Sequence, residues 1–260
     1  MVSARWYCLS LVLCFSPALP AQNPLLDASN LPARTQAVET PPLPPLTPEK
    51  KGDILMARKM YREAADTYKQ GPLDSGVIQN KIGIAYHQMM QTDIARKYYE
   101  RAMKIDPKYP EAINNLGTVY YSRKNYRRAI KLYRRALRLS PDSASIYSNL
   151  GTAYFARKSY KAAAEAYQKA LALDPDVFEH RSSWGVLLQE RSVEERAKFH
   201  YYLAKTYAKA GMNDRALIYI RKALEEGFTE RKKLMEDPEF VSIRQMPEFQ
   251  ELLATEPRVL

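Results

Sequence analysis

A single spacing dominates this chain of 260 residues. Gly83, Gly117 and Gly151 stand 34 residues apart, and so do Tyr86, Tyr120 and Tyr154; Ala95, Ala129 and Ala163; Tyr99, Tyr133 and Tyr167; Ala102, Ala136 and Ala170; and Pro107, Pro141 and Pro175. Ladders at one such period mark a unit built several times over and stacked. Inside a helix glycine costs about 0.5–1 kcal/mol relative to alanine. Its return at one phase predicts a compensating gain: two helices approaching too closely for a larger side chain. The alanines complete that contact, tyrosines three or four residues from the small positions fill space on the same face, and proline ends each second helix where its missing N–H does no harm. Each unit is then a helical hairpin, with helix A over 110–122 and helix B over 126–139 in the middle copy. No hairpin buries its face alone, so neighbours must stack into a solenoid. Glycine is otherwise scarce, nine residues in all, and 46% of the chain is apolar against 27% charged. That composition argues against a turn-rich β fold and excludes a disordered chain for most of the length.

The order small, aromatic, small, aromatic, small, proline, as in NNLGTVYYSRKNYRRAIKLYRRALRLSP at 114–141, resembles the tetratricopeptide repeat (TPR) family over roughly residues 51–228. The resemblance implies an all-α solenoid, a right-handed superhelix of helical hairpins with short C-terminal capping helices. Five repeats are expected, at roughly 45–75, 76–109, 110–143, 144–177 and 197–228. The first is degenerate: Gly52, Tyr61, Ala64 and Tyr68 keep the pattern, whereas Leu55 and Gly71 replace an aromatic and an alanine. The fifth carries Ala204, Tyr207, Gly211, Ala216 and Ala223, displaced by 53 residues from the fourth, so an insertion lies near 178–196. Ser192-Val-Glu-Glu195 is a capping box that starts a lengthened helix A there. Residues 229–260 read as a helical cap. In it Asp237-Pro238 and Met246-Pro247 start short helices, and Phe240, Ile243, Phe249 and Leu252 are available to cover the last open face.

Residues 1–21 read as a signal peptide: Arg5 supplies a positive start, Trp6 to Phe15 is an apolar run, and Ala18 or Ala21 offers a cut site. The run falls short of the roughly 20 residues that span a bilayer, so no transmembrane segment is expected in the mature chain. The expected location is periplasmic or extracellular, and the bulky Leu13 argues against lipid anchoring at Cys14. Cys8 and Cys14 are the only cysteines, so the exported protein keeps neither disulfide nor thiolate. Residues 22–50, with Pro24, Pro32, Pro41, Pro42, Pro44, Pro45 and Pro48, read as a proline-rich, disordered linker.

An enzyme is not expected, nor a cofactor or a metal. There is no phosphate-cradling glycine loop, GxSxG or HExxH, and His87, His180 and His200 lack metal-ligand spacing. Paired carboxylates such as Glu194 and Glu195 sit about 100° apart on a helix and read as solvated. Instead, the TPR resemblance implies a scaffold or adaptor that holds a peptide or protein partner on its concave wall. Bacterial envelope assembly, such as secretion, pilus or outer-membrane biogenesis, is the implied setting. In the repeat frame that wall takes Asn80, Ile84 and His87; Asn114, Thr118 and Tyr121; and Ser148, Thr152 and Phe155. The ladder His87, Tyr121, Phe155 either lines the groove or packs between repeats. The clamp by which some TPR proteins grip a terminal carboxylate is absent. Asn115 and Asn149 match one of its positions, but Asn80 with Ile84, and Asn114 with Thr118, stand where Lys and Asn are required.

One helix carries charge that folding does not explain. Arg127, Arg128, Lys131, Arg134, Arg135 and Arg138 follow i, i+1, i+4, i+7, i+8, i+11, an arc of roughly 120° opposite Ala129, Leu132, Tyr133, Ala136 and Leu137. The formal charge of the whole chain is +11, and this repeat holds more than half of the excess. Like charges at i,i+4 repel by a few tenths of a kcal/mol each, so the stripe is either a solvated face or a site for an anion. An acidic protein or an anionic envelope surface is the expected class of ligand, and nucleic acid is disfavoured for an exported chain.

Overall fold

The computed structural model describes residues 45–179 and 192–254, which belong to one compact unit. The expected signal peptide at 1–21, the linker up to residue 44, both cysteines, His180 and most of the expected insertion lie outside the described residues. The described residues form helical hairpins in series. These are α1 (Pro48–Ala57) with α2 (Tyr61–Tyr68), α3 (Gly76–Gln88) with α4 (Thr92–Ile105), α5 (Pro110–Ser122) with α6 (Tyr126–Leu139), α7 (Ala144–Ala156) with α8 (Tyr160–Leu173), and α9 (Val193–Lys209) with α10 (Asn213–Glu225). Each second helix packs on the first helix of the next hairpin. The array closes with α11 (Arg231–Glu236), a 3₁₀ turn at Pro238–Phe240, and α12 (Pro247–Ala254), whose Phe240, Ile243 and Phe249 are fully buried.

Local chemistry sets these boundaries. Helix α1 starts inside the span expected as linker: Thr47 caps it by accepting from the Lys50 N–H at 3.3 Å, and Pro48 occupies the first turn, where a proline costs nothing. Ser192 caps the 17-residue α9 by accepting from the Glu195 N–H at 3.2 Å. The turn inside each hairpin has one recurrent form. The carbonyls of Leu55, Tyr86, Tyr120, Tyr154 and Tyr207 accept the N–H five residues on, and the residue before that donor is left-handed. That residue is Lys59, Met90, Lys124 or Lys158 in the first four hairpins, with φ near 60°, and Gly211 in the fifth.

Glycine sits at the helix crossings, as the period requires. A Cβ on Gly83 would lie 2.6 Å from the Tyr99 ring, and one on Gly117 would lie 2.6 Å from the Tyr133 ring. Gly151 meets Tyr167 in the same way, and Gly52 meets Tyr68, so the first repeat keeps the contact despite its degenerate sequence. Space vacated by the glycine is therefore filled by the flat face of a buried tyrosine sixteen residues later. In the fifth hairpin both partners change together, to Ala204 and Ile220, each fully buried.

The core is uneven along the array. Around the fourth and fifth hairpins and the cap it is an aromatic block: Tyr160 stacks on Tyr202 and Tyr201 on Phe228, each at 4.5 Å between ring centres, while Phe155 meets Phe199 edge-on at 5.4 Å. The first hairpin's own cluster is small: Ala64 and Tyr68 are buried with Ile78 and Ile82 of α3, and the partly buried Leu55 and Met56 of α1 pack against them.

Candidate functional site

The first helices of successive hairpins meet along one face, where asparagines join them. Asn115 Nδ2 donates to Asn80 Oδ1 at 3.0 Å and Asn149 Nδ2 donates to Asn114 Oδ1 at 3.1 Å, so α5 is tied to α3 and α7 to α5 by the same bond in the same register. Asn80 also donates to the Tyr109 hydroxyl at 3.4 Å. Asn114, Asn115 and Asn149 are half-buried, leaving donors and acceptors of this ladder within reach of a ligand.

The nine expected wall residues do not share one environment. Ile84, His87 and Asn114 remain partly exposed. Thr118 and Thr152 are 8% and 3% exposed, and their hydroxyls accept from Tyr133 and Tyr167 at 3.2 and 3.3 Å; each also donates to the carbonyl one turn back. They lock tyrosine rings against the glycines instead of facing a partner. Asn80 and Ser148 are buried as well. Of the flat ladder, Phe155 is 5% exposed and meets Phe199 and Tyr202 of the next hairpin, so it packs between hairpins, whereas Tyr121 is buried beside Tyr126 of its own hairpin. His87 alone stays partly open, edge-on to Tyr99, and burial holds its pKa below the usual imidazole value.

On α6 the six basic residues also divide. Arg135 Nη2 donates to the Pro107 carbonyl at 2.7 Å and Arg128 lies 4.1 Å over the Tyr120 ring, so these two serve the fold. Arg127, Lys131, Arg134 and Arg138 are exposed and have no ion-pair partner among the described residues. Arg123 and Lys124, which extend the stripe, join Asn125, Tyr126, Arg127 and Arg157 around an open recess of about 410 Å³. Arg157 comes from the turn of the next hairpin. Its contribution was not legible from the third repeat alone.

Among the described residues no group of three or more His, Cys, Asp or Glu is arranged to hold a metal ion, and no helix is long and apolar enough to cross a membrane.

Hairpins stacked in register, with a ladder of polar side chains along one wall, define a helical-repeat scaffold. Family models described as tetratricopeptide repeat match residues 74–142 and 114–177. Residues 74–177 are therefore built of tetratricopeptide repeats. No curated protein matches it. Among solved structures it is similar to MamA. MamA AMB-1 shares 21% identity at a TM-score of 0.48, over 70% of this chain and 98% of that one. A MamA fragment from Desulfovibrio magneticus RS-1 shares 20% identity at a TM-score of 0.48, over 70% of this chain and 94% of that one.

Proposed function

We propose that this protein is a non-enzymatic scaffold or adaptor in the bacterial cell envelope, holding an extended segment of a partner protein against the wall formed by α3, α5 and α7. One observation supports this above others: the asparagine ladder keeps hydrogen-bonding capacity to spare. Each amide has two N–H donors, and Asn149 uses one of them, on Asn114. An extended peptide presents N–H and C=O groups along its length and is read by such groups together with apolar slots. Ile84 supplies an apolar surface beside the ladder, and His87, kept neutral by burial, adds no charge at neutral pH. Placement in the envelope rests on the leader-like pattern at 1–21 and on the confinement of both cysteines to it.

The test is selection of peptides from a random display library on the full chain, followed by titration against Ile84→Glu and Asn149→Asp. Selected peptides should bind each variant about tenfold more weakly, while Arg127→Glu/Arg134→Glu/Arg138→Glu leaves their affinity unchanged. Equal affinity for the wild type and both wall variants would place the partner elsewhere.

A further inference from the structure

We propose a second binding site, independent of the α3–α5–α7 wall: the row Arg127, Lys131, Arg134 and Arg138, with the recess at its N-terminal end, binds an acidic polypeptide segment. The four cations lie on one helix face at i, i+4, i+7 and i+11 and span roughly 16 Å at 1.5 Å per residue. All four are exposed, and none has an anionic partner among the described residues. At the N-terminal end the row leads into the recess, where Lys124 and Arg157 add two further exposed cations. Arg123 there is already engaged by Asp93. The row is thus a line of positive charge that ends in a concave site.

Its flanks decide which anion fits. One repeat earlier, on α4, the corresponding positions are Asp93, Lys97, Glu100 and Lys104; one repeat later, on α8, they are Lys161, Glu165, Gln168 and Ala172. The single-sign row is one helix wide and bordered on both sides by mixed or neutral residues. A bilayer presents a plane of charge and a duplex presents two phosphate rows, and either would meet Asp93, Glu100 or Glu165. A single acidic strand meets only the row. About five extended residues, at about 3.3 Å each, match its length, and alternate side chains about 6.6 Å apart approximate the spacing of the cations. The flanking carboxylates also fix the register by repelling a misplaced strand.

The experiment is fluorescence anisotropy of a labelled octaglutamate peptide with the full chain, at about 50 mM and about 500 mM salt. Arg127→Glu/Arg134→Glu/Arg138→Glu should weaken binding at least tenfold. Lys50→Glu/Lys51→Glu/Arg221→Glu, an equal change in net charge at exposed positions away from the row and its flanks, should change it less than about twofold, and Arg157→Gln should weaken it about threefold. High salt should weaken wild-type binding strongly. Circular dichroism checks that each variant is folded; should the charge reversal unfold the chain, Arg→Gln at the same three positions replaces it, with a loss of at least about fivefold expected. Equal weakening by the two triple variants would reduce the effect to net charge and overturn the proposal. So would absence of salt-sensitive binding by the wild type. Retention on phosphatidylserine vesicles or duplex DNA that depends on the row, with octaglutamate unbound, would overturn it in favour of those ligands.

Discussion

Gly117→Ala tests the contact on which the whole array is built. The new methyl would lie 2.6 Å from Cε1 and 2.9 Å from Cδ1 of Tyr133. That ring cannot swing away cheaply, because it is 1% exposed and its hydroxyl is bonded to Thr118 at 3.2 Å. Overpacking of this kind costs about 1–3 kcal/mol, and the helical preference for alanine returns about 0.5–1 kcal/mol. The expected net loss is about 1–2 kcal/mol, or a melting-temperature drop of about 3–6 °C for a chain of this size. The fifth hairpin supplies the control, since it pairs Ala204 with Ile220 where the others pair glycine with tyrosine. In a Tyr133→Ile background the clash is gone, so Gly117→Ala should there stabilise by about 0.5–1 kcal/mol. The assay is a four-member cycle of urea and thermal denaturation, with hydrogen exchange over α5 and α6 to localise the effect. A change of the same sign and size in both backgrounds would refute the tyrosine-over-glycine account.

Three further outcomes are expected. Lys158 holds φ at 60° without being glycine, so Lys158→Gly should raise stability by about 0.5–1 kcal/mol, whereas Gly211→Ala, at φ 74° with nothing within 4 Å, should lower it by about 1–2 kcal/mol through backbone strain alone; chemical denaturation reads both. Burial depresses the pKa of His87 and of His200, the latter against the opposing pull of Glu226. The unfolded chain therefore takes up protons first on acidification, so the urea midpoint should hold above pH 7 and fall as pH drops through about 6.5 and below, with His87→Gln removing part of the slope. Ser192→Ala should cost about 1 kcal/mol and speed hydrogen exchange in the first turn of α9.

The architecture was legible because phase alone determines it. Helices at 110–122 and 126–139 follow from the glycine, alanine and proline ladders, and the Ser192 cap follows from its own four residues. The expected wall was half legible. Ile84, His87 and Asn114 stay open, but Thr118 and Thr152 are drawn inward by tyrosines on the companion helix, a long-range match that a single helix does not display. Asn115 and Asn149 looked like common residues of the repeat, and only the stacked helices show them bonded to Asn80 and Asn114. Left-handed residues in the turns were hidden too, since Lys59, Met90, Lys124 and Lys158 carry none of the glycine signal that Gly211 does. Helix α11 has neither a capping side chain nor a flanking proline at its start and so left no mark.

The lopsided core gives the molecule a direction. With its ring-rich ballast at the C-terminal end and only a thin cluster beneath α1 and α2, loss of order enters at the first hairpin and advances toward the cap. A ligand gripping the leading hairpins therefore lengthens the lifetime of the folded chain more than one of equal strength seated over α9 and α10. Occupancy at the leading end is thereby linked to the stability of the segment that opens first.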